Sequence, residues 1–403
     1  MFVKKALSFA VPLAFALAGT AMAANVTLYG RIDEGLRYVH QKTTTAEESN
    51  SVDTTSLDSG LAGASYWGIK GYEDLAPGWK IGFRLEGKFQ GDDGTLGTDD
   101  TLFDRDSYLE VSSPYGILQA GRTAMLMSGS HGGIFAGQTN PFGVVYKEAG
   151  GSNVFQNSTQ RVSNMLHYES PSLAGLKFYA QYSNATGQST DYSEGNDAVP
   201  SSNRDRYGAL GATFRHGGLK VALATDYYWF NHKDHADYDN PFNVGLAANY
   251  DFGSWKLYGG YQYGKHLRSK IFGESVTRAD DGHMAMIGAG FDLWGGTLMT
   301  SAGYGHVGDY SLTSTSTKKN SSTTKTTTKS LDAWQLAVGY KYNLSKRTML
   351  YGVGVYRDAD LDATVNSVKT TTKKKKTTTT ATVSDAGEHD KTWVLMVGLR
   401  TTF

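Results

Sequence analysis

Apolar and polar residues alternate one by one along most of the chain, which is the period of a β-strand with two different faces. The segment 393–403 shows this pattern with an aromatic and aliphatic side. In the segment 79–89, Trp79 and Phe83 fall on one side and Arg84 falls on the other. Beyond residue 23 no apolar run reaches the ~20 residues that a membrane helix needs. The pattern therefore predicts strands with one apolar and one charged face.

Short turns and long polar connections separate these segments in strict alternation. The short turns are at 76–78, 113–116, 171–175, 216–218, 252–254, 294–296 and 343–347. The long connections are 41–62, 91–101, 124–160, 185–205, 232–240, 268–281, 312–331 and 362–390. With the first and last strands, this arrangement predicts an all-β fold, a 16-stranded antiparallel transmembrane β-barrel with both chain ends on one side.

A closed barrel is favoured because hydrocarbon offers no hydrogen-bond partner to a free sheet edge. The alternative, a soluble β-sandwich or propeller, would have to bury sixteen aromatic-rich faces in one core. Aromatic residues also gather near strand ends, as in the girdles of membrane barrels. These residues are Tyr29, Tyr227, Tyr228, Trp229, Tyr250, Trp255, Trp294, Trp393 and Phe403.

The first 23 residues have the layout of an export signal. Lys4 and Lys5 precede an apolar run over 6–18, and the segment ends on Ala21-Met22-Ala23. This layout predicts a Sec signal peptide cleaved after Ala23 and a mature chain of 24–403. The alternative, a membrane anchor, would need a longer apolar run. The sequence has no cysteine, so disulfides contribute nothing to stability.

Composition narrows the function classes further. The 403 residues include 48 glycines and 7 prolines, 12% are aromatic, and mean hydropathy is −0.39. This is too aromatic for a disordered chain and too polar for a helical membrane bundle. Lysine plus arginine and aspartate plus glutamate number 39 each, so nothing suggests nucleic-acid binding. Charge has to be considered locally.

Several segments together resemble a known family along nearly the whole mature length. They are residues 26–33, 67–75, 121–122, 161–164 and 397–403. In these the chain is similar to the trimeric general porins of Gram-negative bacteria, of the β-proteobacterial type. The resemblance implies a water-filled outer-membrane channel for passive diffusion of small hydrophilic solutes and ions. It also implies a homotrimer and a C-terminal Phe403 that the barrel-assembly machinery recognises.

The third long connection, 124–160, is called the third loop from here on. The resemblance implies that it folds into the lumen; the alternative is an extracellular flap. Strand alternation places Arg31, Asp33 and Arg37 on one inner face, and the family's basic ladder adds further positions. The predicted pore-lining residues are Arg31, Asp33, Arg37, Tyr66, Lys70, Arg84, Lys88, Arg122, Glu148 and Arg161.

A basic wall opposite a weakly charged loop would favour anions. The alternative is that the arginines are neutralised by Asp33, Glu86 and Glu110 and only satisfy the structure of the lumen. The sequence departs from the family at Tyr66, where arginine is frequent, and at Thr401, where histidine or an aromatic residue is usual. The first departure weakens the predicted positive ladder.

No catalytic residue, cofactor or metal site is predicted. The spacing of 303–308 matches a dinucleotide fingerprint but no helix follows it. Ser130 and His131 lack a hydrolase context. The Thr/Lys-rich segments 312–331 and 362–390 are predicted as exposed loops, with lipopolysaccharide contact as a second interpretation. A substrate-selective channel and an outer-membrane protease or phospholipase remain the alternative functions.

Overall fold

The computed structural model describes residues 25–146, 148–186, 204–230, 239–272, 274–318, 321–373 and 376–403. The predicted signal peptide lies outside these described residues. They form 18 strand segments and two short 3-10 helices, η1 (Ala136–Gln138) and η2 (Gly151–Asn153). In this part of the chain, no helix is long and apolar enough to cross a membrane.

The strand segments are β1 (Thr27–Thr45), β2 (Ser49–Ser59), β3 (Tyr66–Ala76), β4 (Trp79–Lys88), β5 (Ser107–Ser113), β6 (Gly116–Ala124), β7 (Arg161–Glu169), β8 (Leu176–Ser183), β9 (Arg206–His216), β10 (Leu219–Trp229), β11 (Phe242–Asp251), β12 (Trp255–Ile271), β13 (Glu274–Leu293), β14 (Gly296–Lys318), β15 (Ser321–Asn343), β16 (Thr348–Lys373), β17 (Lys376–Asp385) and β18 (Glu388–Thr402).

The sheet closes because its first and last strands pair with each other. β1 and β18 run antiparallel, from Arg31 opposite Thr402 to Thr45 opposite Glu388. β2 and β3 both pair with β1, and β17 and β18 both pair with β16, so each couple is one barrel strand with a short break. The 18 segments of the described chain therefore make the predicted closed, antiparallel barrel of 16 strands.

The two faces of the sheet differ as the alternation predicts. Leu28, Leu36 and Val397 are 63%, 60% and 63% exposed, whereas Val394 and Met396 are each 1% exposed. A soluble sandwich would show the reverse, with its large apolar side chains turned inwards. The barrel therefore presents its apolar face to the outside, where hydrocarbon can cover it.

Two of the predicted girdle residues point the other way. Trp229, Trp294 and Trp393 face outwards, with Trp294 83% exposed. The Tyr29 hydroxyl, however, donates to Glu86 inside the barrel. The ring of Tyr228 packs 5.1 Å from the fully buried Tyr207. Assigning Tyr29 and Tyr228 to a girdle was wrong, because nearness to a strand end does not determine the face on which a side chain lies.

Several strands are longer than the sequence predicts. Most of 312–331 and 362–390 belongs to β14, β15, β16 and β17 rather than to irregular loops. Threonine is β-branched and favours extended backbone. Its hydroxyls also meet across strands: Ser311 Oγ lies 3.0 Å from Thr328 Oγ1. Polar pairing of this kind continues the ladder without any apolar alternation.

The third loop packs against the face of the sheet that carries the buried positions. A Cβ added to Gly245 would lie 2.8 Å from the Phe135 ring, and one added to Gly260 would lie 2.4 Å from Thr139. The next residue after Gly245, Leu246, is 52% exposed on the opposite face. Two buried apolar clusters each combine residues of the third loop with residues of the sheet. Glycines in the wall thus provide room for the loop.

Candidate functional site

One carboxylate organises the basic side chains on β4 and just before β5. Glu86 is 2% exposed and accepts a hydrogen bond of 2.8 Å from the Tyr29 hydroxyl. Its two oxygens also pair with Arg84 Nη1 at 3.3 Å and Arg105 Nε at 3.0 Å. Because one carboxylate meets two guanidinium groups, this cluster keeps one positive charge in excess.

Tyr66 is the platform on which two arginines lie. The guanidinium carbons of Arg105 and Arg31 are 4.3 Å and 5.2 Å from the centre of its ring. Arg31 Nε donates to the Ala64 carbonyl oxygen at 3.0 Å, and the described residues provide it with no salt bridge. Cation–π contact holds both groups without cancelling their charge. Tyr66 therefore supports the basic wall instead of leaving a gap in it.

Arg161 is neutralised by a carboxylate that the sequence analysis did not select. Its Nε lies 2.7 Å from Asp106 Oδ1, and Asp106 is fully buried. His131 of the third loop lies 3.6 Å from the other Asp106 oxygen. Burial, reinforced by the charge of Arg84, lowers the pKa of His131 below its ordinary value, although Asp106 acts in the opposite direction. The lowered pKa favours the neutral form of the His131 ring.

Arg122 is held by neutral acceptors. Its Nε donates to the Asp104 carbonyl oxygen at 2.9 Å and its Nη1 to Ser163 Oγ at 3.0 Å. Within the described chain it makes no salt bridge. Its positive charge, like that of Arg31, is consequently not cancelled by a direct partner.

Glu148 ties the third loop to β1 and β16. Its Oε1 lies 3.2 Å from Arg37 Nη1 and its Oε2 lies 2.9 Å from Arg357 Nη2. Arg37 also pairs with Asp58 at 2.6 Å. Charge-assisted bonds of this kind are about twice as strong as neutral ones. Glu148 is thus a tether and not an isolated acid in the lumen.

A cavity of 510 Å³ separates the third loop from the wall formed by β1, β3, β4 and β7. Four cationic side chains line it: Arg31, Lys88, Arg105 and Arg161. The loop contributes His131 and small or uncharged residues such as Gly129, Ser130 and Val144. Among the described residues no aspartate or glutamate lines this space. The cavity is basic on one side and close to neutral on the other.

The remaining predicted residues lie around this cavity rather than in it. Asp33 is buried, accepts a hydrogen bond of 2.6 Å from Tyr351, and does not face open space. Lys70 Nζ lies 4.9 Å from the Tyr29 ring and lines a second cavity of 210 Å³ together with Arg84. Phe403 exchanges two backbone hydrogen bonds of 3.1 Å with Gly30 at the closure.

Sequence reasoning missed Arg105, Asp106 and Arg357. Arg105 and Asp106 directly precede β5, in a segment that alternation cannot assign to a face. Arg357 lies on the buried face of β16, two residues after the buried Val355. Alternation along β16 could have identified Arg357. The pairing of Arg161 with Asp106 rather than with a carboxylate on its own strand has no sequence signal.

Comparison with known proteins decides the family. A family model described as Gram-negative porin matches residues 6–384. The chain belongs to the Gram-negative porin family. Among curated porins it is 30% identical to an outer membrane porin protein of Bordetella pertussis over 383 residues, 88% of this chain and 94% of that one. It is 29% identical to outer membrane porin protein 32 of Delftia acidovorans, over 84% of this chain and 85% of the relative.

Solved porin structures share the fold. An anion-selective porin from Comamonas acidovorans superimposes with a TM-score of 0.60 at 23% identity, covering 94% of this chain and all of that one. Family membership and the closed barrel make this protein an outer-membrane porin, a channel for passive diffusion of small hydrophilic solutes. They point to a channel rather than to an enzyme.

Proposed function

We propose that this porin prefers anions and that its third loop narrows the lumen beside the basic wall. The observation that carries the proposal is the 510 Å³ cavity, with four cationic side chains and no carboxylate from the described residues. Cationic groups lining a water-filled passage with low-dielectric walls lower the energy of an anion there and raise that of a cation. The name of the anion-selective porin from Comamonas acidovorans agrees with this preference.

The pore-lining residues contribute in two ways. Arg31, Lys88 and Arg122 supply charge without a direct carboxylate partner. Arg37, Arg84 and Arg161 are paired, so they mainly fix the wall and the loop. The two alternatives of the sequence analysis, selectivity and structural pairing, therefore apply to different arginines.

The experiment is to insert the purified full chain into a planar bilayer and to measure the reversal potential with a KCl gradient across the bilayer. We expect the sign given by chloride being more permeant than potassium. A reversal potential of zero or of the opposite sign would refute the anion preference. Saturation of the current by one solute class would instead favour a substrate-selective channel.

The assembly and its partners are proposals too. We expect a homotrimer in the outer membrane, exported by the signal peptide, in contact with lipopolysaccharide, and assembled through the terminal Phe403 by the barrel-assembly machinery. Conductance steps in groups of three would support the trimer. Loss of barrel assembly in Phe403→Ala, with assembly retained in Thr402→Ala, would support the role of the terminal ring.

A further inference from the structure

The outer face of the barrel carries a row of histidine and aspartate residues at the end opposite the short turns. Strand register aligns one residue from each of five neighbouring strands, β13 to β16 and β18. In order these are His283, His306, Asp332, Asp360 and His389. His389 shares its face with Trp393, which is 54% exposed. The row therefore lies on the outside of the barrel and away from the pore.

At one end of the row, three potential metal ligands meet. His389 Nε2 lies 2.8 Å from Asp358 Oδ1, and His389 Nδ1 lies 3.3 Å from Asp360 Oδ1. With one ligand atom taken from each residue, all three atoms lie within 4.8 Å of one another. In the described chain this is where three such groups converge.

Asp358 is oriented by its neighbours. Its Oδ2 accepts a hydrogen bond of 3.0 Å from the Tyr356 hydroxyl and lies 3.9 Å from Lys391 Nζ. The other oxygen, Oδ1, is thereby directed at the imidazole. Outer contacts of this kind fix the carboxylates and imidazoles of metal sites.

We propose that Asp358, Asp360 and His389 bind a divalent transition metal of the Zn²⁺ class. One imidazole nitrogen with two carboxylate oxygens suits Zn²⁺ better than Mg²⁺ or Ca²⁺, which prefer oxygen alone. Tetrahedral Zn²⁺ with bonds of ~2.1 Å holds its ligand atoms ~3.4 Å apart. The three ligand atoms lie within 4.8 Å of one another, and the Asp360 side chain, which is 59% exposed, can turn to bring its oxygen closer to the other two.

The same row supplies an internal comparison. His306 Nδ1 lies 3.0 Å from Asp332 Oδ1, but this pair has no second carboxylate two residues away on its strand, where β15 carries Trp334. A pair offers two ligands where the cluster offers three. The site would join β16 to β18 at the rim and is independent of the preference for anions.

Calorimetric titration of Zn²⁺ into the purified full chain, stripped of metal in detergent, tests the proposal. We expect one Zn²⁺ per chain. Loss of a supporting contact typically weakens metal sites by about 10–100-fold, so His389→Asn and Asp360→Asn should each weaken binding at least about tenfold. His306→Asn is the matched control and should bind as the unchanged chain does.

A spectroscopic measurement separates ligation from a general effect on folding. Co²⁺ bound in place of Zn²⁺ should give ligand-field absorption that His389→Asn removes. Tyr356→Phe keeps all three ligands and should weaken binding about tenfold through Asp358. No 1:1 binding by the unchanged chain, or equal losses in His389→Asn and His306→Asn, would overturn the proposal.

Discussion

Removing one unpaired cation from the cavity should reduce anion preference by an amount that the structure allows us to estimate. Lys88→Gln and Arg31→Gln are suitable changes, because Lys88 and Arg31 line the cavity and Gln keeps a hydrogen-bond donor. Arg161→Gln would be less informative. It would leave the fully buried Asp106 without its partner and disturb the wall.

The magnitude follows from the size of the cavity. A sphere of 510 Å³ has a radius of about 5 Å, so an ion at its centre lies ~6 Å from a charge on the wall. Coulomb's law at the dielectric of water gives ~0.7 kcal/mol, and screening at 0.1 M salt leaves ~0.4 kcal/mol. An anion gains this energy and a cation loses it, so the difference is ~0.8 kcal/mol. That corresponds to an about fourfold lower anion-to-cation permeability ratio.

The assay is the reversal potential in KCl gradients at two mean ionic strengths. At 1 M the Debye length falls to about 3 Å, so we expect the effect of Lys88→Gln to shrink below about 1.5-fold. Lys80→Gln is the matched control on the same strand. It removes the same charge eight residues away, ~26 Å along β4 and beyond two Debye lengths at 0.1 M.

The effect of a wall charge on a passing ion depends on distance and on screening. Equal shifts from Lys88→Gln and Lys80→Gln would mean that overall charge, and not the lining of the cavity, sets selectivity. A Lys88 effect that persists unchanged at 1 M salt would exclude a screened Coulomb origin.

Three further predictions concern the third loop. Gly260→Ala should raise current noise and lower thermal stability, because the added Cβ would clash with Thr139 of the loop. In the control Gly259→Ala the added Cβ has no neighbour nearer than 4.0 Å, so neither property should change. Equal effects of the two variants would contradict this. Glu148→Gln should increase current noise and sensitivity to voltage by weakening the tether to β1 and β16, and a quiet channel would count against it. Since its pKa is lowered, His131 should add positive charge only below about pH 6.5. Anion preference should then rise on acidification in the unchanged chain and rise less in His131→Gln. A difference between the two that already appears above pH 7 would refute this.

Strand alternation predicted the fold and the inner face of β1 for a physical reason. A strand turns successive side chains to opposite sides, and membrane and lumen demand opposite chemistry from them. Leu28 and Leu36 therefore point outwards, while Arg31 and Arg37 lie on the other side. The same rule places Tyr29 with Arg31, two residues away. The error at Tyr29 came from using position along the strand instead of parity.

Contacts between distant segments could not be predicted in the same way. Asp106 reaches Arg161 across 55 residues, and Glu148 reaches Arg357 across 209. No periodicity encodes such pairs, because they depend on where the third loop lies against the wall. The cluster at His389 was missed for a related reason. Metal motifs are sought at short spacing along the chain, whereas its ligands come from β16 and β18.

The formal net charge of zero conceals the feature that matters for transport. Charges further from the passage than one or two Debye lengths contribute little to the energy of an ion inside it. Near the cavity, guanidinium groups pair with each of the carboxylates of Glu86, Asp106 and Glu148. Cations that remain unpaired, such as Arg31, line the cavity opposite the third loop, whose described residues add no carboxylate to the lining. If the proposed anion preference holds, selectivity depends on which cations the structure leaves without a partner, and a neutral chain can still line its passage with positive charge.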